Sequence, residues 1–359
     1  MRSHSSRPAD GPPDLTDPAP SPTTRRALPG GAPDAQRAST AAPLVVVITG
    51  ASSGIGHATA LAFARQGARL VLASRSADTL SPVALACRSA GGTAIAVPTD
   101  VTDADSVQSL ADKAVRHFGQ IDVWINGVGV GAIGRFDEVP LAAHRRVVES
   151  NLLGHLHGAH AALRHFRQRG RGLLINMISM GGWVSAPYAA AYTASKFGLR
   201  GLSESLRAEV ADLPDVHVCD VAPTFVDSPG LAHGANYTGR TIRPKLPMVD
   251  PHRVARTVVR LAQAHHPREV TFMGLGALSG RVAHAVAPST VARAMRWVSD
   301  WGLRSADPVR TSDGNLFAPS RGTAVEGGHR QRMASSAALV LALGAAGVAW
   351  GFWAGRRDR

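Results

Sequence analysis

Tyr192 and Lys196 stand four residues apart in AAAYTASKFGLRGLSESLRAEV, a stretch whose apolar residues recur with helical period. That spacing puts both side chains on one helical face. An ammonium beside a phenol favours phenolate and lowers its pKa toward neutrality, so Tyr192 is a candidate proton donor to a carbonyl oxygen. Ser179 ends the preceding apolar run, LLINMIS, where its hydroxyl can polarise the same carbonyl. Taken alone, a Tyr and a Lys at this spacing are also what an ordinary surface pair looks like.

A second chemical signal lies far upstream. TGASSGIGHATA sets Gly50, Gly54 and Gly56 between an apolar run, LVVVIT, and a helix starting near Ile55. Glycine lets the backbone turn sharply and approach a pyrophosphate, whose charge meets free N–H groups and the positive end of the helix. Thr49, Ser52 and Ser53 complete that cradle. The next apolar run ends in Ala73-Ser74-Arg75, with no carboxylate to hold an adenosine ribose diol. A guanidinium there can instead neutralise a 2′-phosphate, so NADP(H) is favoured over NAD(H).

Groups so far apart in sequence must be brought together by the elements that carry them. LVVVIT, ARLVLAS, GTAIAVPT, IDVWIN, GLLINMIS, VHVCDVA and EVTFMG are short runs rich in β-branched residues, bounded by turn residues or helix starts. Runs apolar at almost every position suit strands buried on both faces of a parallel sheet. Seven of them with intervening helices predict an α/β, Rossmann-type, doubly wound seven-stranded sheet over residues 44–275. Residues 1–43, crowded with Pro, Ser, Ala, Asp and Arg, show no apolar period and are expected to be a disordered tail. Residues 276–333 form a less regular extension and linker, in which VARAMRWVSDWGLR has an amphipathic helical pattern with Met295, Val298 and Trp301 in register.

The chain has 359 residues and a formal charge of +13. Lysine occurs only at 113, 196 and 245, so the excess is Arg spread along the chain. Without a basic run, a nucleic-acid signature or many aromatics, nucleic acid is not an expected partner. Cys87 and Cys219 lack metal-ligand spacing, and no metal is expected. They suit inert thiols in a reducing compartment.

With these motifs in order, the sequence resembles the short-chain dehydrogenase/reductase family over residues 44–275. The family's TGxxxGxG matches Thr49, Gly50, Gly54 and Gly56, and its adenine-contacting Asp followed by an apolar residue matches Asp100-Val101. Its active-site Asn, Ser and YxxxK match Asn151, Ser179, Tyr192 and Lys196. The resemblance implies that Lys196 also holds the nicotinamide ribose and that Asn151 supports a proton-relaying water. It implies reversible hydride transfer between NADP(H) and a carbonyl or secondary alcohol, with association into homodimers or homotetramers. Two positions depart from the pattern: Asn126-Gly127-Val128-Gly129 keeps only the first Asn of Asn-Asn-Ala-Gly, and Pro223-Thr224 replaces Pro-Gly. Both segments, with Val226, are expected beside the cofactor. Trp183, Pro187 and Tyr188 are expected to line the substrate pocket, under a lid at 229–249 containing His233, Tyr237, Arg240, Arg243 and Lys245.

The chain ends in AALVLALGAAGVAWGFWAGRRDR, uncharged from Ala337 to Gly355. Nineteen helical residues span about 28 Å, close to a bilayer's hydrocarbon core. A transmembrane helix over 334–355 with a basic tail at 356–359 is therefore expected, flanked by Arg and by Trp350 and Trp353. Gly347, Gly351 and Gly355 form a small-residue stripe along it. On this reading a single-pass tail anchors a cytoplasm-facing enzyme to membrane lipid, and a lipophilic substrate is favoured. The contrasting expectation is a membrane-tethered NADP(H) sensor or scaffold with little turnover.

Overall fold

The computed structural model describes residues 42–242 and 247–329. β1 (Val45–Thr49) is buried at every position, as an all-apolar strand at the centre of a two-faced sheet must be. α1 (Gly54–Ala64) leads to β2 (Arg69–Ser74), and α2 (Ala77–Ser89) to β3 (Thr93–Pro98). α3 (Ala104–Phe118) returns the chain to β4 (Val123–Asn126) on the other side of β1. A short β5 (Ala132–Ile133) and α4 (Leu141–Val148) precede α5 (Gly154–Arg169) and β6 (Arg171–Met177). α6 (Ala190–Glu209) connects to β7 (Asp215–Pro223), followed by α7 (Gly230–His233), β8 (Ala235–Asn236), α8 (Pro251–Gln263) and β9 (Val270–Met273).

The main sheet is parallel in the order β3-β2-β1-β4-β6-β7-β9, and β5 pairs with β8 in a separate two-stranded ribbon. One face packs α1, α2 and α8 through Phe63, Leu80, Val83, Val254 and Val258. The other packs α3 and α5 through Val107, Leu110, Ala159 and Phe166. The strand order reverses between β1 and β4, which opens a crevice beyond their carboxyl ends, the usual place for a ligand in such sheets. Each of the seven apolar runs expected from the sequence supplies one strand of this sheet.

Beyond β9 come α9 (Ala277–Val286), α10 (Pro288–Arg304) and a strap over residues 305–329. Neither α9 nor α10 matches a core helix: Trp297 and Trp301 are 66% and 53% exposed. The expected transmembrane helix is corrected at this point. Among the described residues no helix is long and apolar enough to cross a membrane. α9 has only 10 residues, and α10, with 17, carries Arg293, Arg296, Asp300 and Arg304, which a hydrocarbon core would not accept. The single-pass localisation and the fold description that included a membrane helix are withdrawn with it. The apolar run at 334–355, its glycine stripe, the tail at 356–359 and residues 1–41 lie outside the described residues.

Candidate active site

β1 delivers Thr49 and Gly50 to the mouth of the crevice. Gly50 has φ +72° and Gly54 φ +55°, conformations that side chains disfavour. At Gly56 a Cβ would meet Gly50 O at 2.1 Å, so only glycine lets α1 rise this close to the turn. Ser53 takes the N-cap position of α1 without a side-chain cap bond, and the first turn holds no acidic residue. The positive pole of α1 therefore suits an anion, although the Gly54 N–H donates to Ala324 O at 2.9 Å. Ser52 and Ile55 are half-buried in the same turn.

At the end of β2, Arg75 donates to the carbonyls of Asn315 (2.7 Å), Leu316 (3.1 Å) and Ala318 (3.1 Å). Ser74 donates to Ser76 O at 3.4 Å. Arg146, on α4, donates to the same Leu316 carbonyl at 3.1 Å and also to Asp100 Oδ2 at 3.1 Å. Two guanidiniums thus converge beside Asp100, the carboxylate that the family resemblance expects at the adenine. Burial, then Arg146, lowers the Arg75 pKa. Val101 packs against Gly154, where a Cβ would come within 2.7 Å of it.

The opposite end is built on β4, β6 and α6. Lys196 is 2% exposed, and its Nζ donates to Met177 O at 3.0 Å while lying 5.7 Å from the Tyr192 ring centroid. Desolvation brings its pKa down to about 7. Burial raises the Tyr192 phenol above its ordinary value, and hydrogen bonding to Ser179 opposes the rise. This direction is opposite to the lowering expected from an adjacent ammonium, and desolvation is its largest cause. Ser179 itself holds φ +152°, strained for a residue with a side chain, and its Oγ accepts from Gly181 N at 3.1 Å.

Asn151 lies in a π-helical turn, Glu149–Leu153, inserted between α4 and α5. Such turns mark functional sites in helices. Its Oδ1 accepts from Val130 N at 2.8 Å, and its Nδ2 donates to Val130 O at 2.9 Å and Ser195 Oγ at 3.2 Å. Both amide protons are thus committed to protein, tying the loop after β4 to α6. Asn126 is fully buried and bonds Trp124 Nε1, His155 O and Asn176 Oδ1. Gly127 takes the place of the family's second Asn, and a Cβ there would meet Thr49 O at 2.5 Å. Thr224 is accommodated by a second glycine: its Oγ1 occupies the space a Cβ on Gly274 would need, 2.0 Å away.

The match with known proteins agrees with this arrangement. The model of the short chain dehydrogenase family fits residues 44–236. An uncharacterized oxidoreductase, YxnA, of Bacillus subtilis is 31% identical over 287 residues, covering 78% of this chain and 80% of its own. The chain belongs to the short-chain dehydrogenase family. Another relative, cis-4-hydroxycyclohexanecarboxylate dehydrogenase of Sinomonas cyclohexanicum, is 38% identical over 61% of this chain and 88% of its own. Among solved structures, an alcohol dehydrogenase of Thermococcus sibiricus complexed with 5-hydroxy-NADP superposes with a TM-score of 0.58 at 30% identity, covering 64% of this chain and 96% of that one. The protein is accordingly an oxidoreductase that transfers hydride between a nicotinamide cofactor and an alcohol or carbonyl.

The donor set of this dehydrogenase fits such a cofactor: glycine turn, uncapped α1 and Arg75 for the phosphates, Lys196 at the far end. Pro223 closes β7, next to β6 in the sheet, and Val226 is buried and bridged to Val249. Of the residues expected at the substrate, Tyr192 borders an apolar cluster with Val130, Ala132, Val139, Ala143 and Leu316. Trp183 is not there. It packs in a separate core with Ile178, Leu199 and Phe272, with Arg200 over its ring. Tyr188 has φ +66° and donates its hydroxyl to Asp300 of α10, with Arg296 across its ring. In the expected lid, Tyr237 donates to Asp313 and Arg240 to Ala306 O, while Arg243 and Lys245 lie outside the described residues.

Sequence reasoning missed Arg146 and His155. His155 is buried behind Lys196, its Nε2 paired with Val128 O at 2.9 Å, and burial holds its pKa down at about 3. Its position four residues after Asn151 was the available signal, since both fall on one helical face.

Proposed function

We propose that this dehydrogenase works with NADP(H) on a lipophilic carbonyl or secondary alcohol, with Tyr192 as general acid and base. The observation that carries the reading is the grouping of half-buried Tyr192 and Ser179 with buried Lys196 at the carboxyl end of β6. When bound, the nicotinamide supplies hydride to a carbonyl carbon or accepts it from a carbinol.

In reduction, the Tyr192 hydroxyl gives its proton to the carbonyl oxygen as the new C–H bond forms. Ser179 hydrogen-bonds the same oxygen and favours its developing charge. The raised phenol pKa keeps that proton in place through neutral pH, ready for donation. Lys196, beside the ring, stabilises the phenolate left behind and holds the nicotinamide ribose. Asn151 keeps the Val130 loop in register with α6. In oxidation the phenolate removes the carbinol proton.

Arg75 and Arg146 support the 2′-phosphate preference, since a phosphate gains charge-assisted, bidentate bonds from guanidinium. The Thermococcus sibiricus neighbour, complexed with 5-hydroxy-NADP, agrees with that preference. The apolar cluster beside Tyr192 supports a lipophilic substrate now that the membrane tether has been withdrawn. The Sinomonas relative is named for a hydroxyl on a cyclohexane ring, which is compatible with such a wall. Residues 44–275 are read as the dehydrogenase domain and 276–333 as its extension.

The test is NADPH consumption with a panel running from small soluble to cyclic and long-chain ketones. Turnover that rises with substrate apolarity and disappears in Tyr192→Phe is expected. Equal rates on small soluble carbonyls with none on apolar ones would sink the substrate class, and turnover surviving Tyr192→Phe would sink the assigned proton donor.

A further inference from the structure

The strap that follows α10 does not trail into solvent. Ser312 and Asn236 exchange backbone hydrogen bonds at 2.8 and 2.9 Å, extending the β5-β8 ribbon. Asn315 N then donates to His233 O at 2.8 Å, and Leu316 is buried with no exposed surface in the apolar cluster that Tyr192 borders. The carbonyls of Asn315, Leu316 and Ala318 take three bonds from Arg75, and Leu316 O takes one more from Arg146. Farther along, Ala324 O accepts the backbone N–H of Gly54 at 2.9 Å, and Thr323 O lies 2.6 Å from His57 Nδ1. Gly327 N and His329 N donate to Asp227 O and Oδ1 at the far rim.

Backbone fit is close at two points. Gly314 has φ +52°, and a Cβ there would meet His233 O at 2.3 Å. A Cβ on Gly327 would meet Ser228 O at 2.7 Å. The strap is therefore seated against the 228–234 segment rather than laid loosely across it.

We propose that residues 312–329 form an autoinhibitory strap that competes with the nucleotide for its own donors. An inference of this kind rests on the nicotinamide-cofactor reading above. The donors that would hold a 2′-phosphate and a pyrophosphate, Arg75 and the Gly54 amide, are the ones the strap carbonyls engage. One amide proton cannot serve both Ala324 O and a phosphate oxygen at full strength. Phosphate at a guanidinium gains charge-assisted bonds that neutral carbonyls do not, so the nucleotide can displace the strap, at the cost of the strap's own contacts. Leu316 couples the two ends, because releasing the carbonyls at Arg75 also draws an apolar side chain away from the Tyr192 cluster. Unseating the strap by nucleotide thus opens the substrate side as well.

If an unstrapped minor form binds, apparent affinity is lowered by the fraction of that form, and by the same factor for every nucleotide. Full-length protein and its Leu316→Asp and Gly314→Ala variants would be titrated with NADPH and with NADH, following nucleotide fluorescence. Both variants are expected to bind at least about tenfold tighter, with equal gains for the two nucleotides. Hydrogen exchange on the unsubstituted chain gives an independent reading: NADPH should speed exchange at the amides of Ser312, Asn315 and Gly327. Weaker or unchanged binding in both variants, or strap amides protected by NADPH, would overturn the proposal and make the strap a wall of the nucleotide site. Failure of every form to bind either nucleotide would remove the cofactor reading itself, and the strap's role with it.

Discussion

Each end of the crevice holds a cation, and the two are held in opposite ways. Lys196 is enclosed by protein, donates to the Met177 carbonyl, and its pKa is brought down to about 7. Arg75 is half-buried at a strand end, donates to carbonyls of a segment some 240 residues downstream, and stays charged at any physiological pH. A titratable cation suits the end where a proton moves, and a fixed one suits the end where a permanent anion must be recognised. The first is supported by a buried polar network through Asn126, Asn176 and Ser203, which cannot rearrange without leaving polar groups unpaired. The second is closed by a segment that can leave.

The largest effect should come from breaking the proton end. Tyr192→Phe keeps the ring and its packing but removes the transferable proton, so kcat should fall by roughly 10²–10⁴-fold. Nucleotide binding should change little, because the phenol is not among the phosphate donors. Steady-state rates beside a binding titration separate the two quantities, and loss of both together would mean a structural role.

Lys196→Met tests the energetic side of the same end. In the unfolded chain this amine keeps its proton up to about 10.5, whereas in the folded chain it releases it at about 7. Below pH 7 both states are protonated and the fold carries the whole penalty of a buried charge. The penalty shrinks as the pH climbs toward 10, where the unfolded chain also sheds its proton. Lys196→Met should therefore be more stable than the parent by on the order of a few kcal/mol at pH 6, with the advantage fading by pH 10. Denaturant midpoints across that range give the comparison, and a constant difference would mean that the amine is not buried as a charge.

These two residues were legible in the sequence because motif spacing reports which groups share a helix face. What they experience was not. Spacing placed an ammonium beside Tyr192 but carried no information on desolvation, which raises the phenol rather than lowering it. Trp183 illustrates the same limit: its position between Ser179 and Tyr192 suggested a pocket wall, yet the side chain turns into the core against Phe272. The seven strands were readable because a strand buried on both faces must be apolar throughout. The strap was not, since residues 305–329 are held by backbone carbonyls and amides, which every sequence possesses, and only Leu316 supplies an apolar anchor. The apolar run at 334–355 was read as a membrane helix from its length and its Arg and Trp flanks; it lies outside the described residues, and the helices described after the sheet are short or charged.

At the other end, Arg75→Ser should weaken NADPH by removing a charged hydrogen-bond donor from the 2′-phosphate, a loss of about 1.5–3 kcal/mol or roughly ten- to a hundredfold. The substitution also frees the strap, which assists every nucleotide equally. The informative quantity is therefore the ratio of NADPH to NADH affinity, which should collapse toward unity while NADH itself holds steady or gains. An unchanged ratio would show that Arg75 serves the strap alone.

The smallest effect belongs to Arg146→Ala, and it asks whether the second guanidinium recognises nucleotide or only braces its neighbour. Arg146 bonds Asp100 Oδ2 at 3.1 Å and Thr102 Oγ1 at 2.8 Å. Burial pushes the Asp100 carboxyl up, but hydrogen bonds from Thr102 and Arg146, with the charge of Arg146, outweigh it and leave the carboxyl below its ordinary value. Thr102 still supplies two of those bonds without Arg146, from its backbone amide and its hydroxyl. Asp100 should therefore stay in place, and because its side chain is 40% exposed the lost ion pair should cost no more than ~1 kcal/mol of stability. That cost exists only while the carboxylate is ionised. It should be present at neutral pH and vanish as the pH falls through the lowered pKa, where protonated Asp100 no longer distinguishes Arg from Ala. Should the stability difference persist in acid, Arg146 acts through Leu316 O and the strap rather than through Asp100. A fall in NADPH affinity matching that of Arg75→Ser would instead place both guanidiniums on the same phosphate.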